Sequence, residues 1–266
     1  MNKIITTLFF AALAHQGSAA MYFSNFTGNP GDPANGVDGW VQSEPDSVVP
    51  TIGPKSFINP VSAGLFTGLN IGAYYDVPNS DPLTLRRSGL NVAQVNPTEL
   101  SAQFKTVFGI NDSSLDFPTR DTFSLTLRDI ADVSIASIVF SPATQINPPS
   151  GDEDRWTVSI NGASPFGAVF PGGAYTLGIV FDNNGYFNVR IADYATDTFA
   201  IQSGNILPTS FNNIAKIELG YAKGPGVEYG DNFFGIANTS LVPEPSSALL
   251  IGLAGLGLLR RRRVQA

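Results

Sequence analysis

The chain has 266 residues, no cysteine, one histidine and a formal net charge of −7. Disulfide staples and thiolate chemistry are therefore excluded, and so is any large basic surface of the kind that binds nucleic acid or anionic membranes. Ten basic and 21 acidic residues fall between positions 21 and 240, so this central span is more acidic still, at −11.

Residues 1–20 read as a secretory signal peptide. Lys3 supplies the positive start, Ile4 to Leu13 form an apolar stretch interrupted only by Thr6 and Thr7, and small residues stand at Ser18 and Ala20. Cleavage after Ala20 is expected, with Ala19 as the second choice, following export through the Sec translocon. The single histidine, His15, lies inside this segment. The mature protein then has neither His nor Cys. Ser-His-Asp and Cys-His catalysis and His- or Cys-based zinc sites are ruled out.

Residues 21–240 are expected to form one β-sandwich ectodomain, a size at which a single core suffices. The stretch from Met21 to Pro60 is rich in Gly, Pro, Asp and Ser and reads as long loops along an edge. Within it, strand signals are confined to Val37–Gln42 and Phe57-Ile58, and Trp40 docks onto the sandwich. Beyond it, apolar and polar residues alternate with the period of a strand. The runs are 65–75, 100–110, 122–127, 133–140, 156–160, 174–181, 186–191, 198–202, 214–221 and 232–238. Asn161-Gly162 and Asp182-Asn183-Asn184-Gly185 read as tight turns, because Asn and Gly tolerate positive φ. Strands without helices give two antiparallel sheets packed face to face.

Candidate sites within this domain are sparse. Asp152, Glu153 and Asp154 form the densest acidic cluster and could offer oxygen ligands to calcium, although a solvated turn explains them more simply. No other cofactor is indicated. Glycan stacking needs exposed aromatic rings. Tyr74 and Tyr75 adjoin on a strand, so one must face outward; Tyr229 sits in a Gly-rich loop, and Trp40 in the N-terminal loops. Trp156 alternates in phase with Val158 and Ile160, which assigns it to the core. Arg86-Arg87 read as a solvated pair on a loop. Glu228 and Asp231 form one further carboxylate pair.

The run Tyr175 to Asp182, a turn and Tyr186 to Ile191, with a last strand at Gly230 to Ile236, is similar to the middle hairpin and closing strand of concanavalin A-like (laminin-G-like) jelly rolls. That resemblance covers roughly Thr119 to Ser240 and implies a jelly-roll sandwich with glycan binding as its expected role. Some glucanases of that fold carry an E-x-D-x-x-E strand motif, which this sequence lacks. The alternative of a secreted polysaccharide-acting enzyme, a hydrolase or lyase working by carboxylates, therefore has no recognisable acid pair behind it. A non-enzymatic exported protein is the expected reading.

The tail is the most specific stretch. Pro243-Glu244-Pro245 precede an uncharged run of 14 residues, Ser246 to Leu259, and four arginines, Arg260, Arg261, Arg262 and Arg263. As a helix the run is about 21 Å long, short of the ~30 Å hydrocarbon core. A basic block beside an apolar run stays on the cytoplasmic side, which leaves everything before Pro243 outside. The prolines are expected to end the last strand and separate the domain (21–240) from the tail (241–266). Val242-Pro243-Glu244-Pro245 with this flank resembles the PEP-CTERM protein-sorting signal. That resemblance implies a short transmembrane helix, transient insertion in the inner membrane and cleavage by an exosortase-type membrane transpeptidase. It also implies transfer to the cell surface or an extracellular polysaccharide matrix. The plain alternative is a permanent single-pass tail anchor.

Overall fold

The computed structural model describes residues 22–30, 32–43, 53–61, 66–74, 82–90, 102–112, 121–142, 155–163, 166–170, 172–182, 185–209, 213–224 and 231–243. The expected signal helix and tail helix lie outside them. Nearly every described element is a strand, and all pairings are antiparallel. One sheet runs β13 (Phe199–Gln202), β12 (Phe187–Asp193), β11 (Tyr175–Phe181), β6 (Ala102–Asp112), β15 (Asp231–Pro243), β4 (Phe66–Tyr74), β3 (Gly53–Val61). The short β1 (Tyr22–Ser24) joins the same sheet alongside the end of β15. The second sheet runs β10 (Gly167–Val169), β9 (Trp156–Ile160), β8 (Ser134–Pro142), β7 (Thr122–Arg128), β14 (Lys216–Ala222), β5 (Leu83–Arg87), β2 (Trp40–Gln42). The expected two-sheet sandwich is the observed fold.

Alternation decides which residues face inward. Tyr175, Leu177, Ile179 and Phe181 of β11 are buried while their neighbours are half-buried, and β9 does the same with Trp156, Val158 and Ile160. The two inner faces meet at Phe234 of β15. Its ring lies 5.8 Å from Phe108 of its own sheet, and 6.0 Å from Phe123 and 5.2 Å from Phe140 of the other. With no disulfide in the chain, aromatic and aliphatic packing holds the sheets together.

The turns follow local chemistry. Asn161 and Gly162 both have positive φ, 50° and 73°, as their sequence implies. At the β11–β12 hairpin the Asp182 carboxylate accepts the Tyr186 N–H at 2.9 Å and Gly185 takes φ 81°. β3 carries Pro54 and Pro60 yet pairs with β4 along its length. It is the outermost strand of its sheet, where a missing N–H costs no ladder bond.

Three departures from the sequence reading concern strands. Residues 53–61, read as loop apart from Phe57-Ile58, are the nine-residue β3. Arg86 and Arg87 are not in a loop: they end β5, which pairs with β14 and β2. The last strand does not stop near residue 238. A bulge between Ala237 and Ser240, with Asn238 at φ 48°, adds one residue to β15. Before it Phe234 and Ile236 face inward; after it Thr239 and Leu241 do. The Thr106 hydroxyl, buried opposite, meets the Ala237 carbonyl at 3.0 Å and the Thr239 hydroxyl at 2.8 Å, so the disturbed ladder keeps its hydrogen bonds. The strand then continues to Pro243.

Candidate functional site

The first candidate site is the junction where β15 becomes the tail. Leu241 pairs with Phe104 on one side and Tyr22 on the other, and its side chain is fully buried. Val242 lies opposite Gln103, and Pro243 opposite Ala102. Proline is tolerated there because it is the strand's last residue. The first residues of the tail are therefore part of the sandwich rather than separate from it. Glu244, Pro245 and Arg260 to Arg263 lie outside the described residues, as does Ala20.

β1 binds this junction to the rest of the domain. The Trp40 indole N–H donates to the Tyr22 hydroxyl at 2.9 Å, and the Arg87 guanidinium sits 5.7 Å from the centre of the Tyr22 ring. Burial pushes the Tyr22 phenol above its ordinary value, since a phenolate there would lose its water. The Ser24 hydroxyl donates to Asp38 and accepts the Phe26 N–H, which holds the entry loop against the strand.

The second candidate is the outer face of the second sheet. Ile217, Leu219 and Tyr221 of β14 point inward, which turns Lys216, Glu218 and Gly220 outward. Glu218 is nearly buried between two arginines. Its Oε2 accepts Arg86 Nε at 2.8 Å and a further bond from Arg86 Nη2; its Oε1 accepts Arg128 Nε at 3.0 Å and Nη2 at 2.7 Å. Arg86 Nη1 also reaches Asp132 at 3.1 Å, and Lys216 Nζ reaches the same carboxylate oxygen at 2.8 Å. The hydrogen bond from Lys216, with the nearby arginines, holds the Asp132 carboxyl below the ordinary carboxylate range. A general acid needs the opposite shift. Around this ladder the face presents Thr84, Ser124, Ser137, Thr157 and Ser159, a hydroxyl-rich surface.

The sequence-derived ligand contacts fare unevenly. Trp40 is fully buried and spends its N–H on Tyr22, so it offers no stacking face. Tyr74 closes β4, opposite Gly53 and Asp231. Tyr75, Tyr229 and Glu228 lie outside the described residues, as do Asp152, Glu153 and Asp154. Among the described residues no three acidic or histidine side chains are placed to hold a metal ion. Rings that are exposed include Phe166, Phe170, Tyr186 and Tyr194, none of which the sequence reading selected. Each stands beside a turn, where alternation carries no phase.

Residues 241–263 match the family model described as the PEP-CTERM protein-sorting motif. No curated protein matches the chain. In structure the chain is similar to the endo-1,3-beta-glucanase from Streptomyces sioyaensis. The identity is 10%, the TM-score 0.53, and the match covers 84% of this chain and 95% of that one. It is also similar to lectin UEA-II complexed with galactose, at 8% identity and TM-score 0.50, over 85% of this chain and 98% of the lectin. Identities this low speak for the fold alone, a concanavalin A-like jelly roll. One neighbour is named as a glucanase and the other as a lectin, so the fold selects neither activity.

Proposed function

We propose that this chain is an exported, non-enzymatic β-sandwich protein that an exosortase-type membrane transpeptidase processes and hands to the cell surface or extracellular polysaccharide matrix. The observation that carries the reading is the match of residues 241–263 to the PEP-CTERM motif. Such a tail marks an exported protein held in the membrane before processing. The sequence supports a non-enzymatic domain: beyond residue 20 it has no histidine or cysteine, and it lacks the E-x-D-x-x-E strand motif. Contact with a hydroxyl-rich polymer suits the Ser- and Thr-lined outer face, where hydroxyls both donate and accept.

The intact mass of protein from the matrix, set against that from the membrane fraction, tests the processing step. A matrix species that begins at Met21 and has lost the arginines supports it. A matrix species that still carries Ala266 overturns it. Replacing Pro243, Glu244 and Pro245 with alanine should retain the protein in the membrane; undiminished release would count against the motif. Glycan contact is tested by native electrophoresis through gels containing the matrix polysaccharide, where unchanged mobility refutes it.

A further inference from the structure

Both ends of the domain leave from one end of the sandwich. β15 finishes at Pro243, and β1 starts at Tyr22, opposite Leu241. The β11–β12 hairpin lies at that same end, because Val180 pairs with Gln103 and Phe181 with Phe187. The second sheet brings its β7–β8 turn, Asp129 to Val133, to this end as well. Residues 206–209 connect the two sheets there: Ile206 N–H donates to the Phe187 carbonyl at 2.8 Å, Thr209 N–H to the Ile135 carbonyl at 3.4 Å, and the Thr209 hydroxyl to the Ser134 carbonyl.

Large apolar side chains stand in solvent at this end. Ile130 is 83% exposed and Leu207 61%, with Val133 and Tyr186 beside them and Phe23, 66% exposed, on β1 next to the exit. Turn tips are ordinarily built from Gly, Asn, Asp and Ser, so Ile130 at the tip of a hairpin is out of place in water. Charge is arranged to match. Arg86, Arg87, Arg128 and Lys216 sit on strand ends here, with Lys105 three residues into β6; together they are half of the ten basic residues in 21–240. Among the described residues Asp38, Asp129, Asp132, Asp182 and Glu218 balance them, in a domain that is otherwise strongly acidic.

Only Glu244 and Pro245 separate the end of β15 from the apolar run 246–259. Two extended residues reach about 7 Å. With the run inserted, this end of the sandwich has nowhere to be except the lipid interface. We propose that it is a membrane-contact face, with Ile130 and Leu207 seated at the headgroup level beside the tail. The inference rests on the tail being inserted, as the proposed function requires. Tethering raises the local concentration of the face at the bilayer, so a few apolar side chains suffice to dock it. The contact holds the cleavage motif at a fixed height for a membrane-embedded enzyme. Once the tail is removed the remaining contact is too small to retain the protein, so scission and release become one event.

The chain has no cysteine, so single reporters can be placed in the full-length protein. Ile130→Cys, Leu207→Cys, Tyr194→Cys at the far end of β12 and Ala254→Cys in the apolar run would each carry an environment-sensitive fluorophore. Each would be reconstituted in vesicles of phosphatidylethanolamine and phosphatidylglycerol with a quencher at headgroup depth. Probes at 130 and 207 should be quenched at least about twofold more than the probe at 194, as interfacial seating demands. Equal quenching at 130, 207 and 194, with the probe at 254 in the bilayer, overturns the contact face while leaving the tail reading intact. A solvent-exposed probe at 254 overturns both.

Discussion

Leu241 is shared between a sorting motif and a hydrophobic core, and Leu241→Ala separates the two roles. The side chain is fully buried, paired between Phe104 and Tyr22 on the inner face of β15. Truncating such a leucine costs roughly 2–4 kcal/mol, the transfer term plus the cavity left among neighbours that cannot collapse. That is a large part of a typical domain stability of about 5–15 kcal/mol. Val242→Ala, one residue on and half-buried on the outer face, should cost less than about 1 kcal/mol. Urea denaturation of the full-length protein in detergent reads the difference. Trp40 and Trp156 are both fully buried, so their emission shifts red on unfolding. With a urea slope of about 2–3 kcal/mol/M, Leu241→Ala should lower the midpoint by roughly 1 M and Val242→Ala by much less. Equal shifts for the two variants would refute the placement of Leu241 in the core and return the whole motif to the tail.

Glu218→Gln should destabilise by about 1–3 kcal/mol. It removes the charge that two arginines share, and their partial exposure keeps the loss below that of a fully buried pair. A thermal melt as stable as the parent's would show that the ladder contributes nothing. Asp132 and Asp193 have carboxyls held below the ordinary 3.8, the first by Lys216 and the second by Thr196. Their contribution is present above that value and lost as the pH falls through their lowered native values. The melting temperature should therefore drop below about pH 4, and Asp132→Asn should flatten part of the drop; an unchanged acid limb contradicts it. Tyr22→Phe leaves the buried Trp40 N–H without its acceptor and should cost roughly 1–2 kcal/mol in the same urea titration. It should also weaken the alkaline unfolding to which a phenol with a raised pKa contributes, because that stability is lost as the pH rises past the ordinary tyrosine range. A Tyr22→Phe protein with parental stability and an unaltered alkaline limb would refute both roles.

Most of the sandwich was legible because a strand with one buried face writes its alternation into the sequence, as Trp156 to Ile160 and Tyr175 to Phe181 do. Short edge pieces were not. β1 and β10 have three residues each, too few to establish a period. β5 was hidden by its own chemistry. Leu83 and Leu85 alternate, but Arg86 and Arg87 look like a solvated pair until Glu218, 132 positions away, is folded against Arg86. No local pattern announces a partner that distant. Trp40 shows the opposite limit. A Trp among Gly and Asp suits both docking on the sandwich and stacking in solvent, and the long-range contact with Tyr22 decides for burial.

The bulge in the last strand escapes the alternation for a different reason, and the reason bears on processing. Asn238 breaks the alternation, so Phe234 and Ile236 appear to belong to a strand and Thr239 and Leu241 to something else. The bulge restores the phase, with Thr106 absorbing the displaced carbonyl. The prolines mark the end of the strand, and the pairing does stop at Pro243, opposite Ala102; what alternation hides is the bulge before it. A peptidase needs an extended segment free on its edges. Upstream of Pro243 the chain is bonded to β6, and around Leu241 to β1 as well. Opening that stretch means stripping an interior strand of the sheet, at a cost approaching global unfolding. Under the proposed processing, scission of the folded precursor would fall beyond Pro243, and the product would keep Leu241 in its core.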